Sequence, residues 1–95
     1  MSGGWRSSTA ILRRPDVQAE TGLSRSTLYL RIKQGLWTQP VNLGGRTVGW
    51  PAREVHALNA ARIAGKSDSH IRGLVLSMEA ARAGESGDSA AAQAK

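Results

Sequence analysis

The sequence predicts a mainly α-helical chain with a small β-hairpin, and three stretches of its 95 residues carry that prediction. Thr21 to Gly35 reads as the end of one helix, a tight glycine-containing turn, and a second helix with a capped start and a glycine stop. Val41-Asn42-Leu43 and Arg46-Thr47-Val48-Gly49-Trp50 stand on either side of Gly44-Gly45, as two short strands stand about a hairpin turn. Ile71, Leu74, Val75 and Met78 follow the spacing of an amphipathic helix. In this order they describe a winged helix-turn-helix with a C-terminal helical extension.

Each element has a local cause. Ala10–Arg13 is short and apolar and suits an edge strand. Pro15 is tolerated in a first helical turn, where its missing N–H costs nothing, and Asp16 sets a negative charge near the positive helix end. Val17 and Leu23 are expected to face the core, and Gly22 to stop the first helix. Ser24 is a strong N-cap, its hydroxyl accepting from the amide of Ser26 or Thr27. The second helix then runs from Arg25 to Gln34 with Leu28 and Ile32 buried four apart. Arg25, Ser26, Tyr29 and Lys33 are assigned to the opposite side, with Leu30 and Arg31 at the flanks.

Leu36, Trp37 and Pro40 form an irregular link. In the hairpin, alternation places Val41, Leu43, Val48 and Trp50 inward, with a bulge near Gly49. Pro51 opens a third helix whose stripe is Val55, Leu58, Arg62 and Ile63, ending at Gly65. Ser67 or Asp68 caps a fourth. The expected organisation is a flexible N-terminus over 1–9, a winged helix-turn-helix over 10–65, an amphipathic helix over 66–83 and a disordered tail over 84–95, where no large apolar residue occurs.

Composition narrows the function. Residues 1–64 hold nine Lys and Arg against three acids, whereas 65–95 hold four of each, so the net charge of +6 resides on the helix-turn-helix part. Clustered cations release counterions from phosphates, which points to a polyanion partner. There is no Cys, which fits a reducing compartment, and no run reaches the roughly 18 apolar residues of a membrane span. A cytoplasmic protein follows, nucleoid-associated when bound to DNA. His56 and His70 stand far apart without metal-ligand spacing, and no phosphate loop, nucleophile elbow or acid–base pair occurs. No metal, no cofactor and no enzymatic activity are expected.

The candidate DNA contacts are Ser24, Arg25, Ser26, Thr27, Tyr29, Arg31 and Lys33 on the second helix. Arg25 suits a guanine edge or a phosphate, and Ser26 and Tyr29 suit bases or backbone. Gly45, Arg46 and Thr47 form a wing tip whose Arg can enter a narrow minor groove, the bland alternative being a solvated hairpin end. Arg13 and Arg14 suit phosphates or plain solvent. Trp37 and Trp50 suit core packing better than base stacking. The stripe Ile71, Leu74, Val75 and Met78 is either a lid on the core or a contact between copies assembling side by side on DNA.

Several runs resemble one family in order: Ile11-Leu12-Arg13-Arg14-Pro15-Asp16-Val17, Thr21-Gly22-Leu23-Ser24-Arg25-Ser26-Thr27-Leu28-Tyr29, Gly35-Leu36-Trp37, Pro40-Val41-Asn42-Leu43-Gly44 and Val48-Gly49-Trp50. Over residues 10–65, and more loosely to Arg82, they are similar to the AlpA family of phage and mobile-element regulators, which is related to excisionases and to MerR-like winged helix-turn-helix proteins. Leu30-Arg31 departs from the pattern, since many relatives carry a basic residue followed by an apolar one. Trp37-Thr38-Gln39-Pro40 also departs, lacking a basic residue that many relatives offer to phosphate. The resemblance implies a non-catalytic protein that binds double-stranded DNA beside an attachment site and directs a separate integrase, a tyrosine or serine recombinase, toward excision, while also regulating transcription. A purely transcriptional regulator is the second reading. A protein-interaction module with an incidental basic surface is the third.

Overall fold

A computed structural model of the chain describes residues 10–85. The expected flexible N-terminus and residues 86–95 of the expected tail lie outside the described residues. Seven elements follow one another: β1 (Ile11–Arg13), α1 (Arg14–Thr21), α2 (Arg25–Lys33), β2 (Val41–Gly44), β3 (Thr47–Pro51), α3 (Ala52–Ile63) and α4 (Asp68–Glu85). Four helices about a three-stranded antiparallel sheet are compatible with the predicted winged helix-turn-helix.

The α1–α2 turn is fixed by short polar side chains. Gly22 adopts φ 75°, the left-handed conformation that a side chain makes costly, and its N–H donates to the Gln18 carbonyl at 2.7 Å. Thr21 Oγ1 donates to the Val17 carbonyl at 2.8 Å and accepts from the Leu23 N–H at 3.1 Å. Gln18 Nε2 donates to the Leu23 carbonyl at 3.3 Å. These bonds satisfy backbone groups that a sharp turn otherwise strands, so the angle between the helices is held from within.

The sheet runs β1-β3-β2. Leu12 pairs with Trp50, and Arg13 and Val41 both pair with Gly49 from opposite sides. Paired residues share a face, so Leu12 and Trp50 point into the core together, with Val48 packed against it. Val41 and Gly49 take the other face. This corrects the expected alternation. The bulge lies in β2 at Leu43, between the Asn42–Val48 and Gly44–Thr47 pairs, and not near Gly49. One extra residue in β2 reverses the phase there, and Leu43 is 42% exposed. Gly49 is required by packing: a Cβ at that position would meet Ile11 Cγ2 at 2.5 Å and Leu43 Cδ1 at 3.1 Å. Ile11 and Leu43 close over the space it leaves.

Trp37 and Trp50 are core residues, and Trp50 Nε1 donates to the Thr38 carbonyl at 2.9 Å, which satisfies its polar edge. They join Leu12, Val17, Leu28, Ile32 and residues of α3 and α4 in one cluster. In α3 the buried set is Ala52, Glu54, Val55, Leu58 and Ala61. Ile63, expected in this stripe, is 87% exposed at the last helical position, beyond the reach of the core. Both α2 and α3 end in paired carbonyl caps: Gly35 and Leu36 donate to Ile32 and Arg31, and Gly65 and Lys66 to Arg62 and Ala61.

The stripe of α4 closes on this same protomer. Ile71 and Val75 are buried, and Leu74 and Met78 pack against the cluster half-buried. Of the two roles expected for these residues, the lid is the one the packing takes. Its polar side chains also hold the link after α2. Arg72 Nε donates to the Gln34 carbonyl at 2.9 Å, and Glu79 Oε2 accepts from the Gln39 N–H at 2.8 Å. Arg82 grips Glu54 with two bonds, 2.9 and 2.7 Å, and donates to the Gln39 carbonyl at 2.7 Å. Glu54 is a buried carboxylate, and this pairing is what makes its burial tolerable.

Candidate nucleic-acid interface

The first turn of α2 has no acid and no internal partner for its leading amides beyond one side chain. Ser24 Oγ accepts from the Thr27 N–H at 3.2 Å and donates to Thr27 Oγ1 at 2.9 Å, with Ser26 Oγ 3.5 Å away. Ser24, Ser26 and Thr27 thus form one hydroxyl cluster at the helix start. Two of the three serve the cap, and Ser26 is exposed at its edge. The helix N-terminus they secure is attractive to anions through its unpaired amides and its dipole.

Leu28 and Ile32 are the buried residues of α2 and define its inward side. At 100° per residue, Leu30 stands 200° from each, directly opposite them. It is 50% exposed, with Ser26, Thr27 and Lys33 around it on the outward face. Tyr29, 37% exposed, occupies one flank. Arg31 occupies the other, half-buried along a cleft with Leu36, Trp37, Arg62 and Ile71. Arg25 is one turn ahead of Leu28 and so lies on the seam side; it is exposed because the helix begins there, past the edge of the core. The expected placement is corrected at three positions. Leu30 is central and not flanking, Tyr29 is flanking and not central, and Arg25 extends from the helix end and not from its outer side, while Arg31 lies on a flank as expected and faces α3 and α4 there. The angular arithmetic was available from the sequence, and it is the signal that finds Leu30.

The wing is tight. Gly44 remains the last residue of β2 with φ 114°, and the turn residues are Gly45, φ 56°, and Arg46, a correction to the expected Gly44-Gly45 pair. Only the first of the two central residues has positive φ, so Arg46 can occupy the second without strain. Asn42 Oδ1 accepts from the Gly44 N–H at 2.7 Å and stiffens the approach. Arg46 is exposed at the tip, and Thr47 is half-buried as it enters β3. Arg13 is exposed on β1, in register with Gly49, so the same sheet carries it and the wing. Arg14 is half-buried, its Nε donating to Gln18 Oε1 at 3.2 Å.

Among the described residues, Arg13, Arg25, Arg31, Lys33 and Arg46 make no hydrogen bond or ion pair through their side chains with the rest of the fold. Their charge is therefore uncommitted. Exposed charges of one sign on a helix face and a hairpin tip are what phosphate contacts require. Among the described residues, no three His, Asp or Glu gather as metal ligands, and no helix is long and apolar enough to cross a membrane.

Comparison with known proteins places most of these elements in one family. The family described as prophage CP4-57 regulatory protein (AlpA) matches residues 10–63, from the strand before α1 to the last residue of α3. An uncharacterized protein, ORF88, of Enterobacteria phage P4 is 49% identical over 56 residues. That alignment covers 59% of this chain and 64% of the phage protein's length. No solved structure matches the chain.

Proposed function

The chain belongs to the AlpA family of phage regulatory proteins, and from that membership we propose that it is a sequence-specific binder of double-stranded DNA that directs excision of a mobile element. It sets α2 into a major groove and the wing on the neighbouring backbone or minor groove. It assembles beside an attachment site and biases a separate integrase, a tyrosine or serine recombinase, toward excision. It catalyses nothing itself, and it acts in the cytoplasm on the nucleoid.

The observation that carries this reading is the outward face of α2. Ser26, Tyr29, Leu30 and Lys33 are exposed on a helix whose start is capped and whose end is tied down. A rigid helix presenting side chains that the fold does not use is suited to reading base edges. Several copies act together, because one small domain reads few base pairs. Ile71 and Val75 are enclosed in the protomer's own core, so of the α4 stripe the half-buried Leu74 and Met78 are left to meet an adjoining copy.

Recombination with purified integrase, supercoiled attachment-site DNA and this protein tests the proposal. Excision is expected only when the protein is added, with footprints extending in repeats as its concentration rises. Excision that is equal with and without the protein removes the directionality role. The family's description as regulatory favours a second reading, repression or activation of an integrase or transfer promoter. A promoter reporter that responds to the protein while excision does not establishes it in place of the first.

A further inference from the structure

Leu30 is an unusual residue for the centre of a face that meets DNA. It is half exposed, stands opposite the buried Leu28 and Ile32, and has Ser26, Thr27 and Lys33 as its surface neighbours. Leu30 is not among the residues that pack on the core cluster, so among the described residues the core does not account for it. The unpaired Lys33 and the exposed Ser26 hydroxyl beside it suit this face to a polyanion better than to an apolar protein partner. A major groove offers one apolar feature, the C5-methyl group of thymine.

We propose that Leu30 is a specificity-determining residue that packs on thymine C5-methyl groups in the major groove. The inference rests on the DNA-binding reading above. A branched aliphatic side chain covers a methyl without hydrogen bonds to align, and it leaves a guanine or cytosine at that step with an unanswered polar edge. Lys33, one turn on, supplies charge for the flanking phosphate, and Ser26 hydrogen-bonds an adjoining base or the backbone. The chain therefore selects sites with thymine beneath the middle of α2.

The test uses the full chain and a site selected from random duplexes. Each thymine of that site is replaced in turn by deoxyuridine, which removes the methyl group alone. At one or two adjacent positions binding is expected to weaken by about fourfold per methyl, the worth of one buried carbon converted to affinity. Leu30→Ala is expected to bind the thymine and deoxyuridine duplexes equally at those positions. It is also expected to keep the wild-type melting temperature, since an exposed side chain contributes little to the core. Equal binding of the wild-type chain to thymine and deoxyuridine at every position overturns the assignment, whatever the variant does. A methyl effect that persists unchanged in Leu30→Ala overturns it too, and gives the contact to another residue. A selection that enriches no site, or affinity that does not fall with salt, removes the DNA-binding reading itself.

Discussion

The cations of α2 and those of α4 are the same residue types put to opposite uses. Arg72 and Arg82 on α4 are directed inward, onto the carbonyls of Gln34 and Gln39 and the carboxylate of Glu54. Arg62, at the end of α3, holds Asp68 at the start of α4 at 3.3 Å. Arg25 and Lys33 on α2 engage nothing within the described fold. A net positive charge therefore says little about where a polyanion binds until the internally engaged cations are set aside. Once they are, the free positive charge among the described residues falls on α2, on β1 and on the wing, within the stretch that matches the family, with Lys66 just beyond it.

The difference is sharpest for substitutions that remove one guanidinium from each helix. Arg82→Ala leaves the buried Glu54 without its partner and should cost about 3 kcal/mol of folding stability in urea titrations, the lower end for a broken buried pair. Arg25→Ala should leave the urea midpoint unchanged and weaken site binding by about tenfold in fluorescence anisotropy, as expected of a lost base or phosphate contact. Should Arg25→Ala unfold the chain, or Arg82→Ala leave its stability intact, the division of labour between the helices is wrong. A smaller effect belongs to the wing. Arg46→Ala should lower the slope of log affinity against log salt by about one, the signature of a single phosphate contact. An unchanged slope would assign the wing tip to solvent.

The smallest effect lies in the link after α2, between the two regions. Thr38 is fully buried, and its Oγ1 finds no hydrogen-bond partner among the described residues. Thr38→Val, which keeps the shape and removes the hydroxyl, should raise stability by about 0.5 kcal/mol in the same titration. A loss of stability would mean that the hydroxyl is satisfied in solution.

The sequence is most readable where structure depends on neighbours along the chain. The cap at Ser24, the left-handed Gly22 and Gly35, and the seam of Leu28 and Ile32 are all local, and each falls where spacing and residue type place it. The hairpin is readable as a hairpin, but its phase is not. A bulge at Leu43 is a choice between two strands, and nothing in Val41-Asn42-Leu43 marks it. The brace is harder still: Glu79 and Gln39 are 40 residues apart, and Arg82 and Gln39 are 43 apart. No periodicity joins them, so Glu54, Arg72, Glu79 and Arg82 carry no local sign of the task they perform. The face of α2 is intermediate. Its members are legible, and helix angles counted from Leu28 and Ile32 already put Leu30 at the centre, whereas the cleft that Arg31 lines is built by α3 and α4 and has no local sign.

The anchoring of the Gln34–Gln39 segment by α4 has an implication for how such proteins diversify. The family match stops at residue 63, and α4 begins at Asp68. The link that leaves α2 is thus held partly by a segment outside the matched residues. On the proposed DNA-binding reading, changes in that segment would re-aim the side chains of α2 without altering them, a route to new sites that leaves the alphabet of recognition untouched.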